Sequence, residues 1–188
     1  MKTWQTNITK YFALIVLLTI FSCTHSSGKK ESKEEKEINT DPVGRKNFLT
    51  RPSYKLEYPY KWAIDSTEKY YDIDAYISIE SPSGSSFVTF MFFNTSIDEK
   101  EQIEEQIKEQ LEVTMKNGEV TRFEKWGAYN GQGATIKGRL LGIFKGELKI
   151  FIHATDSSSF LFLSQVQDDV RLIDEESVKL IENSFRLK

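Results

Sequence analysis

An α+β domain, an antiparallel sheet with helices packed on it, is the fold that three features of the sequence predict. Short stretches alternate apolar and polar residues with period two, between breaks that contain Pro or Gly. One long segment repeats its apolar residues every four positions. Four further strand-like stretches then follow one another through connections too short for a crossover helix, which leaves antiparallel neighbours as the solution.

In order, Tyr54-Lys55-Leu56-Glu57-Tyr58 alternates, and Pro59, which has no N–H to give to a ladder, ends it. Residues 62–64 form a short second piece. Ala75–Glu80 alternates in the same way and stops at the turn sequence Ser81-Pro82-Ser83-Gly84. Residues 87–93 are apolar at nearly every position, so this strand needs cover on both faces and belongs inside the sheet. Ser96 with Glu99 three positions on reads as a capping box. Ile103, Ile107, Leu111 and Met115 then recur every four residues among Glu, Gln and Lys, giving a helix with one apolar stripe, and Asn117-Gly118 reads as its stop.

Residues 120–126, 134–144, 148–155 and 160–166 are the four strand-like stretches, expected as a meander. Lys145-Gly146 suits a tight hairpin and residues 156–159 a four-residue loop. A last helix is expected from Asp174, which can cap it, with Val178, Ile181 and Phe185 on one face.

Composition narrows the function. The chain has 188 residues, 39% hydrophobic and 28% charged, with a net charge of −3. That is enough for one domain with a sizeable core, since a chain near this length buries roughly 70% of its unfolded surface. The single cysteine, Cys23, excludes an internal disulfide framework, and His25 and His153 are too few for a zinc cluster. A mildly acidic chain lacks the basic excess of a nucleic-acid binder.

Residues 1–22 read as an export signal. Lys2 and Lys10 supply positive charge, and residues 11–21 are an apolar run broken only by Thr19. A membrane span needs about 20 apolar residues, a signal core about 7 to 15. The end of the run, with Ile20 three positions before Cys23 and Ser22 just before it, resembles the bacterial lipobox. The resemblance implies a diacylglyceryl thioether on Cys23 and cleavage before it, freeing an amine for a further acyl chain. Each buried methylene contributes about 0.8 kcal/mol, so several chains anchor firmly where one holds marginally. Residues 23–44 are then the lipidated cysteine and a charged tether, since 24–42 contain one large apolar residue, Ile38. Residues 45–188 form the domain.

Tyr58-Pro59 followed by Trp62, an expected turn at Asn130-Gly131 with Ala134 behind it, and the terminal Ile181-Glu182-Asn183-Ser184-Phe185 resemble the PsbP-like proteins over roughly residues 48 to 187. That family includes an extrinsic subunit of the photosynthetic oxygen-evolving complex, a nuclear-import factor that binds a small GTPase, and bacterial lipoproteins. The resemblance implies an α/β/α sandwich around an antiparallel sheet. It carries over no catalytic residue, and no position here matches a metal-retention or GTPase-binding site of the family.

Among candidate sites, His153 with Asp156 and Ser157 suggests a nucleophilic triad, but strand neighbours alternate faces and no glycine-flanked elbow surrounds Ser157. A polar sheet-face histidine beside Phe151 is the expectation. Asp72 and Asp74 lack the further oxygen ligands and the glycine of a calcium loop and read as a solvated turn. Gly131-Gln132-Gly133 is too short to cradle a phosphate and opens a strand. Tyr54, Tyr60, Tyr70, Tyr71 and Tyr76 make a candidate recognition surface, with Tyr58 and Trp62 at the core edge. The expected protein is exported, lipid-anchored and non-catalytic, a binding or accessory protein of the bacterial envelope. It needs no cofactor and meets an envelope protein or a small ligand. An envelope hydrolase using His153 is the alternative.

Overall fold

The computed structural model describes residues 45–67 and 75–188; Cys23, Tyr70, Tyr71, Asp72 and Asp74 lie outside them. The described chain runs β1 (Lys46–Thr50), β2 (Tyr54–Pro59), β3 (Ala63–Thr67), β4 (Ala75–Glu80), β5 (Ser86–Phe93), α1 (Glu99–Val113), β6 (Met115–Trp126), β7 (Tyr129–Leu140), β8 (Phe144–Ala154), β9 (Ser159–Gln167), α2 (Arg171–Ser184) and β10 (Arg186–Leu187). It is mostly antiparallel sheet with two helices. Asn47–Lys188 form one compact unit.

The main sheet has the order β3-β4-β5-β9-β8-β7-β6, with every neighbouring pair antiparallel, and β1-β2-β10 form a smaller sheet. The residues of 6–9 in strand number thus run as the expected meander, and the apolar β5 lies inside the sheet between β4 and β9.

Period-two alternation sorts the side chains to two faces. On one, Phe90, Phe162 and Phe151 follow one another across β5, β9 and β8, joined by Phe160 and Val166. Helix α2 lies on this face against β2, β5 and β9, contributing Val178 and Ile181, and its C-cap Phe185 stacks on Phe90 with ring centroids 4.4 Å apart. Tyr54, Leu56 and Trp62 close the same core. The intervening residues Leu148, Ile150, Leu161 and Leu163 are buried on the other face. There α1 packs on β6, β7 and β8 through Ile103 and Ile107. Exposed Arg122 of β6 grips Glu104 of α1 with two hydrogen bonds of 2.9 and 2.8 Å. All the buried apolar residues lie from Tyr54 onward, so the unit carries its own core among the described residues.

Several local expectations are corrected. Asp98, not Ser96, caps α1: its Oδ1 accepts from the backbone N–H of Lys100 and of Glu101 at 3.0 and 3.1 Å. The helix stops at Val113, so Met115 opens β6 instead of ending the apolar stripe. Asn117 (φ 54°) and Gly118 do not stop a helix but form an irregularity in β6, where the register shifts between Lys116 and Glu119; a second shift lies between Phe123 and Lys125. A Cβ at Gly118 would sit 2.6 Å from Ile136 Cγ2 and 2.7 Å from Leu111 Cδ2, so a side chain here would have to push both of these aside.

The hairpin between β7 and β8 turns at Leu141-Gly142-Ile143, not Lys145-Gly146, because Leu141 (φ 51°) and Gly142 (φ 78°) take the left-handed conformations. Asn130-Gly131 likewise lies in β7; the turn before it is at Gly127, φ 59°. Helix α2 begins at Arg171 with no side-chain cap, and Asp174 is buried in its first turn. β1 and β10 have no counterpart among the expected elements, which raises the sheet content above prediction. No helix of the described residues is long and apolar enough to cross a membrane.

Candidate functional site

Of the candidate tyrosines, the described ones, Tyr54, Tyr60 and Tyr76, do not share one face. Tyr54 is 3% exposed and stacks face to face on Phe92, centroids 4.6 Å apart and planes within 1°. It is therefore core, because its place in the alternation of β2 points it at the main sheet. Tyr60 is exposed in the turn after β2, and its carbonyl accepts from Asn47 Nδ2 at 3.4 Å. Tyr76 is half-buried opposite Met91, on the face away from its neighbour Ile77 and from Tyr54. Trp62 is buried and Tyr58 packs at the edge of the same core.

His153 sits half-buried at the end of β8, paired with Phe160. Its Nδ1 lies 2.7 Å from the Asn130 carbonyl, and its ring meets those of Tyr129 and Phe160 at 5.5 and 5.4 Å. Neither Asp156 nor Ser157 is hydrogen-bonded to it; Ser157 sits in the Thr155–Ser158 turn, held by Thr155 Oγ1. The ring is held as a sheet-face residue by the Asn130 carbonyl and two aromatic neighbours, and the Glu99 carboxylate accepts from the Ala154 N–H next to it at 2.6 Å. No group of three or more metal-ligating side chains is assembled among them either.

A feature that the sequence patterns do not reveal is a groove of about 500 Å³ between the small sheet and the C-terminal half of α2. The alternation of β1 turns Leu49 to the core and leaves Phe48 facing the groove, 72% exposed. Val178 and Ile181 bury the inner face of α2, so Leu180 and Asn183 supply the opposite wall. Ser184 fixes the helix end to β2: its Oγ accepts from the Glu57 N–H at 2.8 Å and lies 3.1 Å from the carbonyls of both Glu57 and Ile181.

Two cations meet on the groove floor. Lys55 and Arg186 are direct partners in the β2–β10 pair. Like charges directly opposite on antiparallel strands destabilise the pairing. Arg186 donates to the Phe185 carbonyl, and neither cation has a carboxylate at ion-pair distance among the described residues. The groove thus offers apolar walls and a floor on which Lys55 and Arg186 stand side by side with Glu57 next along β2, two positive charges to one negative.

No family model matches the chain, and no curated protein matches it. Solved structures similar to it include the following three. One is from Bacteroides thetaiotaomicron, with 12% identity and a TM-score of 0.45 over 75% of this chain; the chain spans 48% of that protein's length. Another is cyanobacterial PsbP from Synechocystis, of the family the sequence resembles, with 10% identity and a TM-score of 0.45 over 79% of this chain and 96% of that one. The third, LpqN, involved in cell envelope biogenesis of Mycobacterium tuberculosis, has 10% identity and a TM-score of 0.49 over 77% of this chain and 91% of that one.

Proposed function

We propose that this is an exported, lipid-anchored accessory protein of the bacterial envelope that binds a partner without chemistry. The observation that carries the binding role is the groove between the small sheet and α2. Its floor sets Lys55 beside Arg186, and Phe48 and Leu180 stand over them. An acidic group on the partner relieves the repulsion between the two cations, while an adjacent apolar side chain covers Phe48, whose burial contributes about 25 cal/mol per Å². The Ser184–Glu57 clamp holds the groove in shape before the partner arrives, which lowers the ordering cost of binding. The partner class is an envelope protein, or a small ligand, that presents an anion next to an apolar surface. The lipobox-like Ile20 to Cys23 supports export and anchoring.

Crosslinking in intact cells followed by mass spectrometry tests the binding role. A captured partner that is lost when Lys55 and Arg186 are both changed to Glu, and kept in His153→Ala, is the expected result. Capture that is indifferent to Lys55, Arg186 and Leu180→Asp sinks the groove as the binding site. Labelled fatty acid should enter the wild-type chain and not Cys23→Ser; equal labelling of the two excludes the anchor.

A further inference from the structure

One end of the compact unit carries apolar residues that nothing in it covers. Antiparallel pairing brings the start of β6, the end of β7, the start of β8 and the end of β9 to this end. The β7–β8 hairpin tip projects Leu141, Ile143 and Phe144, with Ile143 64% exposed. The connection from β9 then delivers Leu172 and Ile173 in the first turn of α2, 98% and 74% exposed. The Asp168 N–H bonds to the Lys145 carbonyl at 2.9 Å, which ties that connection to the hairpin. Scattered exposed apolar residues are ordinary, but several gathered at one end mark an interaction surface. Leu141 also holds a left-handed backbone that favours glycine or asparagine, so the tip keeps a leucine where the local conformation disfavours one.

Behind the tip lies a row of cations. Lys116, Arg139 and Lys145 are register partners across β6, β7 and β8 and so share one face. Lys116 Nζ donates to the Glu112 carbonyl and Arg139 to the Ile143 carbonyl; none of the three has an ion pair among the described residues. Of the nearby carboxylates, Asp168 is held by Arg171 at 2.7 Å and Glu147 by Lys137 and Arg171, which leaves Glu112 and Asp169. Apolar side chains in front of unpaired cations are the pattern of a surface that enters a lipid interface, where the chains dip below the headgroups and the cations meet phosphates.

We propose that this end docks on an anionic phospholipid bilayer, Leu141, Ile143 and Phe144 entering the interface and Lys116, Arg139 and Lys145 pairing with headgroups. The contact is separate from the groove and needs no acyl chain on Cys23. Residues 24–188 hold the whole compact unit and lack both the apolar leader and Cys23, so they test this contact independently of the anchor.

In vesicle co-sedimentation this chain should bind phosphatidylcholine vesicles containing about 30% phosphatidylglycerol and bind pure phosphatidylcholine far less, weakening as salt rises from about 0.1 to 0.5 M. The triple changes Leu141→Ser with Ile143→Ser and Phe144→Ser, and Lys116→Gln with Arg139→Gln and Lys145→Gln, should each reduce binding about tenfold, roughly 1.4 kcal/mol. Leu172→Ser with Ile173→Ser should act in the same direction, and a melting curve for each variant confirms folding. Absence of binding to anionic vesicles, or binding that folded tip variants retain, overturns the proposal. Self-association in sedimentation velocity that the tip changes abolish, without vesicle binding, overturns it in favour of a second copy of the chain.

Discussion

Ser184 and Glu57, 127 positions apart, are joined through one hydroxyl that accepts from the Glu57 N–H at 2.8 Å and reaches the Glu57 carbonyl at 3.1 Å. The end of α2 is thereby locked to the centre of β2 by an atom that also touches its own helix at Ile181. Ser184→Ala leaves the Glu57 N–H without that acceptor. The expected cost is about 1–3 kcal/mol in urea unfolding, with faster amide exchange at Glu57. Unchanged exchange there would show that the clamp does not hold β2.

Phe185 is fully buried where the rings of Phe90, Phe160, Trp126 and Tyr129 converge, with centroids 4.4 to 5.8 Å away. Phe185→Ala should cost about 3–5 kcal/mol, because the surrounding rings sit on strands fixed by the ladder and cannot close the cavity. Phe185→Leu should recover most of the loss in thermal unfolding.

Gly131 tests close approach. A Cβ there would lie 2.1 Å from the Ile152 carbonyl oxygen, a backbone atom of the paired strand β8 that cannot swing aside. Gly131→Ala should therefore destabilise by about 1–3 kcal/mol or more, whereas Gly127→Ala, with open space around it but φ 59°, meets only the backbone penalty of roughly 1–2 kcal/mol.

Glu109 gives a pH dependence. Burial first, then the carboxylates of Glu105 and Glu112, raises its carboxyl from 4.5 to about 7. The folded chain then binds the proton more tightly than the unfolded chain, so this group's contribution is full below 4.5 and is lost as pH climbs towards 7. Glu109→Gln should raise the melting temperature at pH 8, with the gap to the wild type narrowing as pH falls to 4.5. A gap that is constant across this range would contradict the shift.

The parts of the fold that alternation and apolar runs encode were legible: β2, β4, the interior β5, the meander, and the Ile103–Ile107 face of α1. The errors fall where one backbone approaches another. Asn117-Gly118 resembles a helix stop locally, yet its role is set by β7, where a Cβ on Gly138 would lie 2.9 Å from Gly118 Cα. The hairpin tip depends on Leu141 adopting a conformation that leucine propensity argues against. The groove was invisible for the same reason. Lys55 and Arg186 become neighbours only because the chain end returns to β2, and no window along the sequence contains both. His153 was the opposite case: period two placed it beside Phe151 on the sheet face, and there it lies.

The two register shifts in β6 bear on how the protein avoids unwanted company. β6 closes one side of the main sheet, and outer strands offer unpaired amides and carbonyls to any extended chain. The shifts after Lys116 and after Phe123 break that row into short segments, and Glu119, Arg122, Glu124 and Lys125 stand exposed along it. An incoming strand would lose its hydrogen-bonding phase within a few residues and meet charge besides. This side of the sheet is thus guarded against fibril-like stacking and against capture of extended peptides, so that many copies can stand close together without their sheets fusing.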